Sequence, residues 1–254
     1  HVLYPENTRL PIIMSAVTGL FFLSLLLKFY WTVPLALAGV IVLAWKWVWS
    51  LGLRDDPAMQ PVGHDLNLPS SATVERAPGW WGSVFLLTAN GTFFAALLFG
   101  FAFLWTVAPG WPPPVWFQPF VLEFALGVAG AVIAPLAMRR AIRKNRAGET
   151  PLLSVLIALS GSAALGTACA ALMLRAPAPT EHAYGATLLV LGGYGLFHAI
   201  IAALMGGFLA RQIRCGYTSA KRRAAFPIVA LWVKYTSITG VIILLAAHLP
   251  GMLS

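Results

Sequence analysis

The run LPIIMSAVTGLFFLSLLLKF, Leu10 to Phe29, is followed after only Tyr30, Trp31 and Thr32 by VPLALAGVIVLAWKWVW, Val33 to Trp49. A helix rising about 1.5 Å per residue needs about 20 apolar residues to cross roughly 30 Å of hydrocarbon, and both runs approach that length. So short a connection leaves room for nothing but a tight antiparallel hairpin of two membrane spans. Leu10–Phe29 is also too long for the apolar core of a signal peptide, and no small-residue cleavage site follows it, so it reads as a span.

Outward from this hairpin the chain changes character. Residues Leu53 to Pro78 are polar, carry Pro57, Pro61, Pro69 and Pro78, and show little periodicity, which predicts an extended surface linker. Five more apolar runs follow, at about Gly79–Val107, Phe117–Met138, Leu152–Leu174, Tyr184–Ile213 and Phe226–Leu249. The organisation read from the sequence is therefore a transmembrane hairpin in residues 1–52, a linker in 53–78 and a five-helix transmembrane bundle in 79–254. Composition agrees: of 254 residues 59% are hydrophobic and 10% charged, against about 25% charged in water-soluble domains. Period-two alternation is absent, which argues against an outer-membrane barrel. The fold class expected is an all-α membrane protein with seven transmembrane helices.

The formal charge of +9 is concentrated in two places. Between the fourth and fifth spans lie Arg139, Arg140, Arg143, Lys144 and Arg146; between the sixth and seventh lie Arg211, Arg214, Lys221, Arg222 and Arg223. The segments at the opposite ends of these spans hold one basic residue together, Arg175. By the positive-inside rule the basic segments face the cytoplasm, and so do the N-terminus and the linker, while the C-terminus is outside. This accounts for the basic charge without nucleic acid as a partner. Trp80 and Trp81 at one end of the third span, and Trp105 and Trp111 at the other, fit interfacial anchors. Small residues (Gly127, Ala129 and Gly130; Gly161, Ala164 and Gly166; Gly192, Gly193 and Gly195) predict close packing among the fourth, fifth and sixth spans. Cys169 and Cys215 have no disulfide, zinc or iron–sulfur spacing.

Polar groups at membrane depth are costly and draw attention as candidate sites. Four qualify: Asn90, Glu123, His198 and Lys234. Asn90 lies about ten residues from the cytoplasmic end of its span and Lys234 about eight, roughly 15 and 12 Å deep, with His198 at a similar level. A polar layer joining the third, sixth and seventh spans is expected. Lys234 either holds a lipid phosphate or an internal carboxylate, or snorkels to the headgroups. His198 reads as a neutral imidazole bonded to a neighbouring helix, Asn90 as inter-helix glue, and Glu123, nearer the outer end, as a solvated or protonated carboxyl. No P-loop, HExxH, GxSxG or CxxC occurs, and only His198 of five histidines lies well inside a span, so no catalytic, cofactor-binding or metal-ligating residue is assigned.

Three stretches resemble one family. PGWWGSVFLLTANGTFFAALLFGFAFLW, from Pro78, is similar to the third helix of cytochrome c oxidase subunit III, which opens with a Gly-Trp/Tyr-x-Gly pattern. GYGLFHAIIAALMGGFLARQIRCGYTS, Gly193–Ser219, resembles that family's penultimate helix, with His198 at its histidine, and ALWVKYTSITGVIILL, Ala230–Leu245, resembles the last helix. Two positions depart: Asn90 stands where the family usually has glutamate, and Lys234 where it commonly has histidine. The linker and the non-Met start at His1 also look like bacterial oxidases in which subunits I and III are fused.

The resemblance implies a two-helix part and a five-helix part with phospholipids held in a cleft, and a non-catalytic component of a bacterial aa3-type oxidase in the inner (cytoplasmic) membrane. It implies as partners subunit I (or a preceding part of the same chain), subunit II and phospholipids, with haem and copper in the partner and no cofactor but lipid in this chain. The role expected is support of assembly, lipid binding and proton uptake in aerobic respiration. The alternative from another class is a small secondary transporter using Glu123 and Lys234, although no internal repeat is evident.

Overall fold

The computed structural model describes residues 8–52, 59–63, 66–69, 76–108, 110–112, 121–220 and 222–253. The chain divides into two compact units, residues 1–71 and 72–254.

The first unit holds α1 (Leu10–Leu26) and α2 (Thr32–Gly52). Pro11 sits in the first turn of α1, where its missing N–H costs nothing. The apolar run predicts a helix to Phe29, but α1 ends three residues earlier. Lys28 adopts a left-handed φ of 61°, and the Phe29 amide reaches back to the Ser24 carbonyl at 2.8 Å while the Lys28 amide reaches Leu25 at 3.2 Å. This pairing is a Schellman stop, which reverses the chain where apolar content alone predicts continuation. The Thr32 hydroxyl and amide both donate to the Phe29 carbonyl and launch α2. The helices approach closely where Gly39 faces Val17.

The linker is more ordered than the extended segment expected of it. Its described residues form a short antiparallel hairpin, β1 (Met59–Gly63) with β2 (Leu66–Pro69), pairing Met59 with Pro69 and Gln60 with Leu68. A bulge between Pro61 and Gly63, with Gly63 at φ 99°, breaks the alternation that would have signalled strands. Pro57 lies outside the described residues, and Pro78 belongs not to the linker but to the start of the next helix.

The second unit is built from α3 (Pro78–Val107), α4 (Val121–Arg146), α5 (Leu152–Arg175), α6 (Ala183–Arg214) and α7 (Ala225–Leu253). Six of the seven described helices, α2 to α7, are long and apolar enough to cross a membrane; α1 is a shorter apolar helix of 17 residues. Large apolar side chains point outward along them, Phe85, Phe99, Leu153 and Leu174 among those more than two-thirds exposed, while Ser154, Ser162, His198, Thr236 and His248 are buried. Apolar outside and polar inside is the arrangement a lipid solvent demands. Apart from one short hairpin among the described residues, the chain is an all-α multi-pass membrane protein.

The basic segment after the fourth span is not a loop. Arg139 to Arg146 are the last two turns of α4, and the connection to α5 is only residues 147–151. Arginine, lysine and alanine are good helix formers, and cations at a helix C-terminus meet the negative end of its dipole. Hydropathy marks where the helix leaves hydrocarbon, not where it stops.

Small residues set the tightest crossing. A Cβ on Gly130 would collide with the Gly161 carbonyl, and one on Gly161 would come within 2.8 Å of the Gly130 carbonyl. Gly127 meets Ala168, Gly166 meets Ala199, and Gly192 and Gly195 lie against Cys169 and Met173. Ala129, by contrast, faces outward. Backbones this close gain dispersion contacts that lipid cannot replace.

Candidate polar site in the membrane

The buried polar chemistry of the five-helix unit centres on His198, which is 1% exposed. Its Nδ1 lies 2.9 Å from the Tyr194 carbonyl, one turn back on α6. A carbonyl only accepts, so Nδ1 carries the proton and Nε2 presents a lone pair. Nε2 is buried with no hydrogen-bond partner among the described residues. The ring lies among aromatic neighbours, with centroids 4.2 Å from Tyr194, 5.4 Å from both Phe197 and Tyr235 and 6.4 Å from Trp232. The imidazole bonds to its own helix, not to a neighbouring one as expected.

The inter-helix bonds come instead from hydroxyls. Tyr194 donates to the Asn90 carbonyl of α3 at 3.0 Å, and its oxygen lies 2.6 Å from the Tyr235 hydroxyl of α7. With Tyr194 donating to α3, Tyr235 supplies the proton between the two rings. Thr236 of α7 donates to the His198 carbonyl at 3.3 Å. The chain of donors thus runs from α7 through α6 to α3.

Asn90 takes part through its backbone, since its side-chain amide donates to Leu86 on its own helix at 2.9 Å. Lys234 does not join: it is exposed, while Trp232, Val233, Thr236 and Ser237 around it are buried. One residue turns a helix by about 100°, so Tyr235 faces the layer that Lys234 was expected to reach. Sequence reasoning misses both tyrosines; the signal was Tyr194 one turn before His198, and Tyr235 at the same depth as Lys234.

Glu123 belongs to the other end of the unit. In the first turn of α4 it pairs with Arg175 in the last turn of α5, an arrangement favoured by both helix dipoles. His248 of α7 lies close by, its ring 4.8 Å from Phe124. Lys234 is fourteen residues from His248 along α7, so Glu123 and Lys234 are separated by about 20 Å of helix.

Trp80 and Trp81 stand at the start of α3, Trp81 exposed and Trp80 edge-on to it at 4.9 Å with the Arg76 guanidinium over its ring. Trp111 is no interfacial anchor: it is buried, packed edge-on to Phe101 and Tyr184. Cys169 is buried and Cys215 exposed, neither in a disulfide. Among the described residues no three His, Cys, Asp or Glu side chains come together.

Comparison of the chain with models of known protein families and with characterised proteins gives no match.

Proposed function

We propose that this chain is the subunit III-like component of a bacterial aa3-type haem–copper oxidase, fused to or associated with the haem-bearing subunit I. One observation carries the reading. The three stretches that resemble the family, in α3, α6 and α7, meet in one place: Asn90, Tyr194, His198 and Tyr235 form a single cluster of hydrogen bonds and ring contacts. Segments far apart in sequence whose polar groups converge are under a common structural demand, as expected of a scaffold whose interior must stay in register.

In this role the five-helix unit packs against the catalytic subunit, retains phospholipid and sustains proton uptake, while haem and copper chemistry proceeds in the partner. The cluster's contribution is rigidity: three helices are joined by groups that lose their partners if one helix slides. Residence is the bacterial inner membrane, with the basic ends of α4 and α6 in the cytoplasm and the C-terminus outside.

The test is affinity purification of the tagged full-length protein from native membranes in mild detergent. The expected result is an a-type haem spectrum that co-elutes with this chain in constant ratio. A haem-free species as the sole product overturns the proposal.

A further inference from the structure

α7 meets each of the other four helices of its unit. Tyr235 lies against Gly91 of α3, Leu244 against Gly127 of α4, Gly240 against Leu165 of α5 and Ile243 against Gly195 of α6. What remains is a stripe of Lys234, Ile238, Leu245 and Leu249, all exposed. Spacings of four, seven and four residues put them on one side of the helix. Among the described residues no helix covers this stripe, and its single charge stands among aliphatic side chains.

A lysine in that position needs a counter-charge. Lys234 is nine residues beyond Ala225, about 14 Å along the helix. Its four-carbon stem spans about 6 Å, which returns the ammonium less than halfway to the start of α7. Ionisable side chains within spans face a protein interior or an aqueous cavity, and they pair with one another. Lys234 makes no hydrogen bond or ion pair among the described residues. The chain has no carboxylate to offer it. Of eight acidic residues only Glu123 lies in one of the seven described helices, and it is held by Arg175 at the far end of the unit. Neither α1 nor α2 contains an acidic residue, and a second copy of the chain has the same lack.

We infer that this face of α7 is a protein interface within the membrane, where Lys234 pairs with a carboxylate on a transmembrane helix of another polypeptide. Ile238, Leu245 and Leu249 supply the apolar contact toward the C-terminal end, and the ion pair fixes the register at which the two helices meet. An aspartate or glutamate at the same depth meets the ammonium where water does not screen the attraction. The inference rests on the membrane fold and the place of Lys234, and does not depend on the oxidase reading.

The test treats native membranes holding the tagged full-length protein with a membrane-soluble carbodiimide before purification in mild detergent. The reagent activates a protonated carboxyl as an O-acylisourea; the neutral Lys234 amine attacks its carbonyl, an amide bond forms, and the reagent leaves as the urea carrying the displaced oxygen. Peptide mass spectrometry should then find Lys234 joined to an aspartate or glutamate within an apolar segment of a co-purifying protein. K234R keeps the charge but not the reactive amine, so the crosslink should vanish while the association stays. K234M should raise the apparent dissociation constant of that protein about thirtyfold, the loss expected on truncating one member of a buried charge pair. Exchanging the charges, K234E with lysine at the identified carboxylate, should restore it. Labelling of Lys234 in the intact complex by a membrane-impermeant amine reagent means that it snorkels to the headgroups, and overturns the inference. So does unchanged association in K234M, a crosslink only to acidic residues of this chain, or no Lys234 crosslink at all. A crosslinked partner without haem leaves the inference standing and counts against the oxidase reading alone, whereas a haem-bearing partner held equally by K234M does the reverse.

Discussion

Tyr194 donates one hydrogen bond to α3 and receives one from α7, whereas Tyr235 takes part in the second bond only. Removing the two hydroxyls should therefore have unequal and non-additive effects. Hydrogen bonds between membrane helices are worth about 0.6 kcal/mol on average and up to about 1.7. Y235F should lower stability by about that average, leaving the Tyr194–Asn90 bond intact. Y194F should cost about twice as much, because it also leaves the Tyr235 hydroxyl without its acceptor. The double variant should be no less stable than Y194F, since the second change only removes a hydroxyl that has already lost its acceptor. Unfolding titrations of the purified protein give the cycle; strict additivity means that the two hydroxyls do not share a bond. This cluster was only half legible in the sequence. The level of Asn90 and His198 is a count along their helices, and Tyr194, one turn from His198, does reach the Asn90 carbonyl. Which way a side chain faces depends on rotation about the helix axis, and long apolar stretches such as α7 give no polar face to fix that rotation. The sequence leaves Lys234 open between an inward charge and one that snorkels to the headgroups for that reason; it is exposed, and Tyr235, one position on, takes the inward place.

Between α4 and α5 the controlling quantity is the distance between backbones, which glycine sets. At Gly130 and Gly161 an added Cβ meets the opposing backbone, which cannot rotate away as a flexible side chain can. G130A and G161A should each destabilise the five-helix unit by about 1–3 kcal/mol, the usual cost of overpacking. G82A on α3, with nothing within 4 Å of its added Cβ, should be neutral or slightly stabilising, since alanine is the better helix former. Thermal unfolding in detergent compares the three, and equal effects at all positions would mean that the crossing is looser than the structure has it. In the two-helix unit Lys28 offers the opposite case. A left-handed conformation costs an L-residue about 1–2 kcal/mol relative to glycine, so K28G should slow hydrogen exchange at the Lys28 and Phe29 amides that close the turn, and K28A should not. Elements of this kind were legible to different degrees. Each span shows in its apolar run because hydrocarbon imposes a length, and glycine pairs mark the crossings. The stop at Leu26, the extra turns of α4 and the β-hairpin do not, because they are set by backbone hydrogen bonding in stretches where hydropathy carries no information.

The basic residues that end α4 and α6 and precede α7 lie at one end of the five-helix unit, and the orientation proposed for it has a direct chemical reporter. Cys215 caps α6 at that end and is exposed, whereas Cys169 is fully buried in α5. A membrane-impermeant maleimide should therefore label Cys215 and not Cys169. With the basic end in the cytoplasm, labelling should occur in inverted membrane vesicles and be absent from right-side-out vesicles until detergent is added. C215S supplies the baseline, removing the signal attributable to this chain whatever thiols its partners carry. Labelling of intact right-side-out vesicles that is lost in C215S reverses the orientation. Protection in both vesicle types, relieved only by detergent, means that a partner covers this end. In that case the same reagent applied to the isolated complex and to the chain stripped of its partners identifies the covered surface. Because the charge asymmetry and the exposure of Cys215 arise from different residues, agreement between them tests the topology independently of the family resemblance.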